Sequence, residues 1–160
     1  MLIQEGCCLE ETWRYVPTKV VGNEGQGPPP PGAQIQALSY RPTSRLRLAP
    51  TSVADIKATL VEGRCVSFAI PVFNTLMLSR EAMKLGQIPN PTPGEIPVGG
   101  HAMCFVGYQD LSDPGIGGGR FIVRNSWGEA FGFAGHYGPG YGTITYAYIA
   151  RLNREAYAPA

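Results

Sequence analysis

The spacing of hydrophobic residues after Ser52 predicts an amphipathic helix. Serine is a good N-cap and glycine commonly follows the last turn of a helix, so the helix should start after Ser52 and end before Gly63. A second short helix is predicted over residues 75–85, where Gly86 stops it. The first helix is indicated by apolar residues at helical spacing, namely Val53, Ile56, Leu60 and Val61.

Apolar runs bounded by turn residues predict the strands. Residues 65–70 should form a buried strand that ends at Pro71, and further strands are predicted over 101–108, 120–125 and 143–146. A turn that contains Asp113-Pro114-Gly115 should join 101–108 and 120–125 into a hairpin. Because the strands concentrate in the latter half and the helices in the earlier part, the predicted fold class is α+β.

Proline and glycine predict the irregular stretches. Residues 16–50 are expected to be mostly irregular, and the four successive prolines at 28–31 favour an exposed loop over a proline-rich docking motif. Residues 87–98 should form a rigid, proline-rich loop that leads to Gly99-Gly100-His101. The pattern of residues 1–15 predicts a helix end, a break at Gly6 and a short turn, and residues 147–154 should form a terminal turn or helix.

Composition narrows the function classes. The chain is 44% hydrophobic and 16% charged, with 21 glycines and 15 prolines, which is typical of a loop-rich globular protein. A net charge of +1 gives no reason to expect nucleic acid or an acidic membrane surface as a partner. No apolar run approaches the roughly 20 residues that span a bilayer, and the first residues do not have the pattern of a signal peptide.

The four cysteines do not have the spacing of a disulfide framework or a zinc site. Cys7 and Cys8 are adjacent, whereas Cys65 and Cys104 lie in apolar runs where a free thiol behaves as a small hydrophobe. We therefore expect no metal and no cofactor.

His101 and Asn125 are the residues whose arrangement indicates chemistry. They lie on consecutive predicted strands, and a hairpin would bring them together. An imidazole can take the proton of a thiol, and an asparagine carbonyl can hold that imidazole in one orientation. Trp127, two residues after Asn125, could shield their hydrogen bond from water.

Two segments around these residues resemble a known family. Gly99-Gly100-His101-Ala102-Met103 and the following strand are similar to the histidine segment of papain-like cysteine peptidases, and Arg124-Asn125-Ser126-Trp127-Gly128 is similar to their asparagine segment. The glycine-rich residues 138–142 resemble the stretch that closes the family's β domain, and residues 6–15 resemble the segment that follows its helical domain.

The resemblance implies a role for each matching residue. His101 would be the general base and later the general acid, Asn125 would orient it, and Trp127 and Gly100 would support the pair. Ala102 and Phe73, the latter at the end of Pro71-Val72-Phe73, would border the pocket that selects a substrate side chain. Peptides or proteins would be the substrates.

The family's nucleophile is a cysteine at the start of a long helix, preceded by a glutamine, in a segment that comes before the match to residues 6–15. Cys7 and Cys8 follow Gln4 at a shorter spacing than the family's, and no aromatic residue comes next. We therefore predict that residues 1–50 are the end of the helical domain with its proline-rich loop, and that residues 51–160 are the β domain that carries the histidine and the asparagine.

The sequence is compatible with three functions. The chain could be the C-terminal portion of a cysteine peptidase, one chain of a split enzyme whose partner supplies the cysteine helix, or a catalytically inactive binding or structural module with the papain fold. In each case the chain by itself is predicted to be inactive.

Overall fold

A computed structural model describes residues 2–16 and 27–160 of the chain, and within them one mixed sheet contains seven strands. The strands follow the order β1-β7-β2-β4-β5-β6-β3 across the sheet. Their bounds are β1 Arg45–Arg47, β2 Val66–Val72, β3 Gln87–Ile88, β4 Gly99–Asp110, β5 Gly119–Arg124, β6 Tyr141–Thr145 and β7 Glu155–Pro159.

The described helices are short. Their bounds are α1 Leu2–Glu5, α2 Ala33–Leu38, α3 Val53–Val61, α4 Asn74–Met77, α5 Arg80–Leu85 and α6 Tyr146–Leu152, with one 3-10 turn at Pro114–Ile116. In the described part of the chain, no helix has both the length and the apolar character needed to cross a membrane. Together the helices and the sheet confirm the predicted α+β class.

The chain divides into two compact units. The smaller contains Met1–Arg45 with Pro159–Ala160, and the larger contains Leu46–Ala158, which includes His101, Asn125 and most of the sheet. In the smaller unit, Gly6 has a φ of 75° after α1, as the predicted break requires. The assignment of residues 1–50 to the end of a helical domain stays a prediction.

Local sequence signals explain several elements of the larger unit. The Ser52 hydroxyl accepts a hydrogen bond from the Asp55 amide at 3.2 Å, so Ser52 caps α3 as predicted. The predicted hairpin is also confirmed, since β4 and β5 pair in antiparallel fashion, with a register shift between Phe105 and Gly107.

Other expectations were wrong. The predicted helix over 75–85 is two helices, α4 and α5, because the Ser79 hydroxyl accepts from the Ala82 amide at 3.1 Å and caps a new helix. In the described part of 16–50 most residues are irregular, as expected, although α2 and the whole of β1 also lie there. Residues 17–26 of this predicted irregular stretch lie outside the described residues, whereas 28–31 have neither helix nor strand.

Two further differences concern β2 and the last residues. Pro71 lies inside β2 rather than after it, and Cys65 is exposed just before that strand instead of buried within it. β7 was not predicted at all. Its Ala156 and Ala158 are small side chains that become buried only because β7 pairs with β2.

Stacked aromatic rings form the centre of the core in the larger unit. Phe68 of β2 lies parallel to Phe105 of β4 with ring centroids 3.6 Å apart, and Phe105 contacts Phe121 of β5 at 4.5 Å. Ile56 of α3 is fully buried against the same cluster. These side chains of β2, β4 and β5 pack tightly against one another and fix the positions of the three strands. The packing therefore also fixes the start of β4, which carries His101, and the end of β5, which Asn125 follows.

Candidate active site

His101 and Asn125 are in direct contact. The Nε2 atom of His101 lies 2.7 Å from Oδ1 of Asn125. The Ser126 amide also donates to that oxygen, at 2.7 Å. A carboxamide oxygen only accepts, so Nε2 carries the proton of the neutral imidazole and Nδ1 has the lone pair. Nδ1 is therefore the nitrogen that can act as a base.

The hairpin and its neighbour position the pair. His101 is the third residue of β4 and pairs with Ile70 of β2. Asn125 directly follows β5, and its amide donates to the carbonyl of Gly140 at 2.9 Å. The Asn125 side chain is 9% exposed. Because the backbone on both sides is hydrogen-bonded, the two side chains are held in one arrangement.

Trp127 covers the contact between His101 and Asn125. Its ring stacks on the imidazole, with centroids 4.5 Å apart and an angle of 25° between the planes. The edge of Trp127 is in turn supported by Phe131, which is fully buried, at 5.8 Å. A hydrogen bond shielded in this way competes less with water than an exposed one.

Two hollows flank His101. A groove of about 460 Å³ contains Pro71, Gly100 and Ala102 in its wall, and a smaller hollow of about 240 Å³ is bordered by Val98 and Trp127. Gly100 and Ala102 both line the groove beside His101, and the roles predicted for them stay predictions. Phe73 lines neither hollow, because it is 5% exposed and packs in the core against Tyr148.

The chain is similar in sequence and in structure to known cysteine peptidases. No family model matches the chain. An uncharacterized peptidase C1-like protein of Acanthamoeba polyphaga mimivirus is 30% identical over 155 residues, which are 92% of this chain and 44% of that protein. Xylellain, a cysteine protease from Xylella fastidiosa, matches with a TM-score of 0.69 and 28% identity, over 98% of this chain and 57% of xylellain.

The chain is related to the papain-like cysteine peptidases. It also has their fold, which a match to the bromelain protease from Ananas comosus supports with a TM-score of 0.59, at 15% identity and over 99% of this chain and 65% of bromelain. The chain spans about half the length of the viral protein and of xylellain.

Neither cysteine of the larger unit, Cys65 or Cys104, is placed to react with His101. Along β4 the side chains alternate between faces, so Cys104 points to the face opposite His101. Burial, together with the neighbouring Cys65, raises the pKa of the Cys104 thiol to about 11, which opposes formation of a thiolate. Cys65 precedes β2 by one residue, five positions before Ile70, the partner of His101.

Sequence reasoning missed two residues that shape the site. Gly140, whose carbonyl accepts the Asn125 amide, belongs to a glycine-rich stretch that was matched to the family but given no role. Arg154 borders the 460 Å³ groove beside His101, and its amide donates to the carbonyl of Ala69 at 2.9 Å. Arg154 is far from His101 in sequence, and only the pairing of β7 with β2 brings them to the same groove.

Proposed function

We propose that this chain supplies the histidine and asparagine of a peptidase site that hydrolyses peptide bonds through a cysteine nucleophile. The observation that carries the proposal is the 2.7 Å contact between Nε2 of His101 and Oδ1 of Asn125, which leaves Nδ1 as the base. The relationship to papain-like cysteine peptidases supports the same chemistry.

In the proposed reaction, Nδ1 of His101 takes the proton of the thiol, and the thiolate attacks the carbonyl carbon of the scissile bond. The tetrahedral intermediate collapses to a thioester when the imidazolium donates its proton to the leaving amine. Water then attacks the thioester with His101 as the base, which releases the acid and regenerates the thiol. Asn125 holds the ring throughout and adds no charge.

The nucleophile is proposed to come from outside the larger unit, because Cys65 and Cys104 do not face His101. A cysteine helix joined ahead of residues 6–15, or carried by a second chain, would fit the resemblance. The alternative is a catalytically inactive module with the papain fold. In that module, Nδ1 of His101 takes no proton from a thiol.

The test is a fusion in which a segment from a papain-like peptidase, with its glutamine, cysteine–aromatic pair and long helix, precedes this chain. We expect hydrolysis of a fluorogenic peptide by the fusion and none by the 160-residue chain alone. His101→Ala should lower kcat of the fusion by about 10²–10⁴-fold, the usual contribution of a general base. The control is His136→Ala, since His136 is the second histidine of the chain and is exposed.

A fusion that folds, as judged by circular dichroism, yet shows neither turnover nor histidine-dependent alkylation of its cysteine would favour the inactive module. Hydrolysis by the unfused chain would instead direct attention to Cys7 or Cys8.

A further inference from the structure

A second groove of about 460 Å³ shares no lining residue with the two hollows beside His101. It is bordered by Arg120 of β5, Thr143 and Thr145 of β6, and α5. Arg120 pairs with Thr145 across the strands, so their side chains are neighbours on one face. Arg120 is the second residue of β5 and Asn125 follows the end of that strand, so roughly 16 Å of strand separates Arg120 from Asn125.

The Arg120 guanidinium is not satisfied by the described protein groups. Its Nε atom is buried and has no hydrogen-bond partner within residues 2–16 and 27–160. None of the described ion pairs includes Arg120. The terminal nitrogens of the guanidinium are not among the buried atoms and Arg120 is half-buried at the groove, so these nitrogens are the donors that a ligand in the groove can reach.

Asn90 places a second donor beside the groove. Its Oδ1 atom accepts a hydrogen bond from the Thr145 hydroxyl at 2.9 Å, and that hydroxyl accepts from the Tyr148 amide at 3.0 Å. These bonds orient the Asn90 carboxamide and leave its NH₂ group with no partner among the described residues. A planar guanidinium and an amide NH₂ together suit an acceptor with two oxygens.

The rest of the lining indicates what the acceptor is attached to. Leu85, Ile88 and Ile116 border the groove and provide an apolar wall. Glu81 is the one carboxylate among the described lining residues. It is 68% exposed and lies 4.0 Å from Lys84, so its charge is at the rim. A volume of this size accommodates a small organic molecule.

We propose that the groove between β5, β6 and α5 binds a carboxylate that is attached to a small apolar body. Arg120 holds the carboxylate through its guanidinium, Asn90 donates to the same group, and the apolar body lies against Ile88 and its neighbours. The site is independent of the proposed peptidase chemistry.

Binding is measured on the 160-residue chain by NMR, through the Nε–Hε resonance of Arg120, during titration with benzoate. Benzamide has the same shape without the charge, and chloride and phosphate are titrated at matched ionic strength. We expect a saturable shift with benzoate and none with benzamide or chloride. N-acetylleucine, which has the carboxylate of a peptide C-terminus, is titrated in the same way. Tighter binding of N-acetylleucine would indicate a peptide end as the natural ligand, and tighter binding of benzoate would indicate a small organic acid.

The Arg120→Met variant should raise the Kd for benzoate at least about tenfold, whereas the control Arg151→Met, which removes an exposed arginine of α6, should change it by less than about twofold. Arg120→Lys keeps the charge but loses the planar fork, and it should fall between them. Asn90→Asp keeps the acceptor for Thr145 and adds a repelling charge, so it should weaken binding even if Arg120→Met folds poorly.

Three results would overturn the proposal: equal benzoate binding by wild type and Arg120→Met, equal weakening by Arg151→Met, or equal shifts with benzamide. Tighter binding of phosphate than of either acid would overturn the assignment to carboxylates.

Discussion

At the residue scale, the orientation of one carboxamide decides how His101 can react. Two donors converge on Oδ1 of Asn125, from His101 at 2.7 Å and from the Ser126 amide at 2.7 Å, so the oxygen faces the ring and Nδ1 is the nitrogen with the lone pair in the neutral imidazole. The groove beside His101, which Pro71, Gly100 and Ala102 line, also contains a positive charge. Arg154 is exposed there, and no described ion pair includes it.

The positive charge of Arg154 predicts that the proposed peptidase prefers substrates with an acidic side chain in this groove. In the active fusion, a peptide that places glutamate in the groove should have a kcat/KM roughly two- to fivefold above its glutamine analogue, as an exposed ion pair allows. Arg154→Met should remove the difference, and Arg151→Met should retain it. A ratio that stays the same in Arg154→Met would show that Arg154 does not contact the substrate.

At the element scale, a single carboxylate fastens the loop that leads to His101. Glu95 accepts hydrogen bonds from the Thr75 hydroxyl, from the Thr75 amide at 2.7 Å and from the Thr92 amide at 2.9 Å. These bonds tie residues 92–95 to α4, and the Val98 amide then donates to the carbonyl of Val72 at 2.8 Å. The wall of the smaller hollow beside His101 therefore depends on Glu95.

The same bonds predict a pH dependence. Hydrogen bonds from Thr75 and Thr92 lower the pKa of Glu95 to about 2. A pKa that is lower in the folded state means that Glu95 stabilises the fold above its ordinary, unfolded pKa and loses this effect as pH falls toward about 2. Glu95→Gln should thus lower Tm at pH 6 and change it little near pH 2.

Thermal unfolding followed by circular dichroism across this pH range checks the prediction. The exposed Glu129 is the matched control, and Glu129→Gln should have little effect at either pH. An equal loss of Tm for Glu95→Gln at both pH values would contradict the role of its charge.

At the scale of the whole molecule, exposed apolar side chains lie beside the His101–Asn125 pair. Met77 and Val98, which are 49% and 54% exposed, line the hollow that also contains His101 and Trp127. Exposed apolar groups of this kind contribute nothing to stability until they are buried, at roughly 25 cal/mol per Å². If a nucleophile-bearing segment covers them in the active enzyme, the chain alone lacks that contribution.

We therefore expect the 160-residue chain to unfold no higher than the mesophile range of about 45–65 °C, and the fusion to unfold at a higher temperature. Differential scanning calorimetry of both proteins measures this. A sharp transition of the chain alone well above that range, or a fusion with an unchanged Tm, would contradict the expectation.

Much of the fold could be predicted because its signals are local. Ser52, Gly63 and the apolar spacing between them determine α3, and the turn at residues 111–118 determines the β4–β5 hairpin. The pairing of His101 with Asn125 follows from that hairpin and from the motifs around them. The break at Ser79 was missed because a capping hydroxyl competes with a helical pattern that is otherwise continuous.

What the amino-acid sequence determined by itself is therefore the α+β class, the hairpin and the identity of the His101–Asn125 pair, since each depends on residues close in the chain. The tertiary structure decided the rest. It buried Phe73, placed Arg154 in the groove through β7 and enclosed Arg120 Nε. These outcomes depend on which distant strands pair and on which face each side chain then points, and no local pattern specifies either.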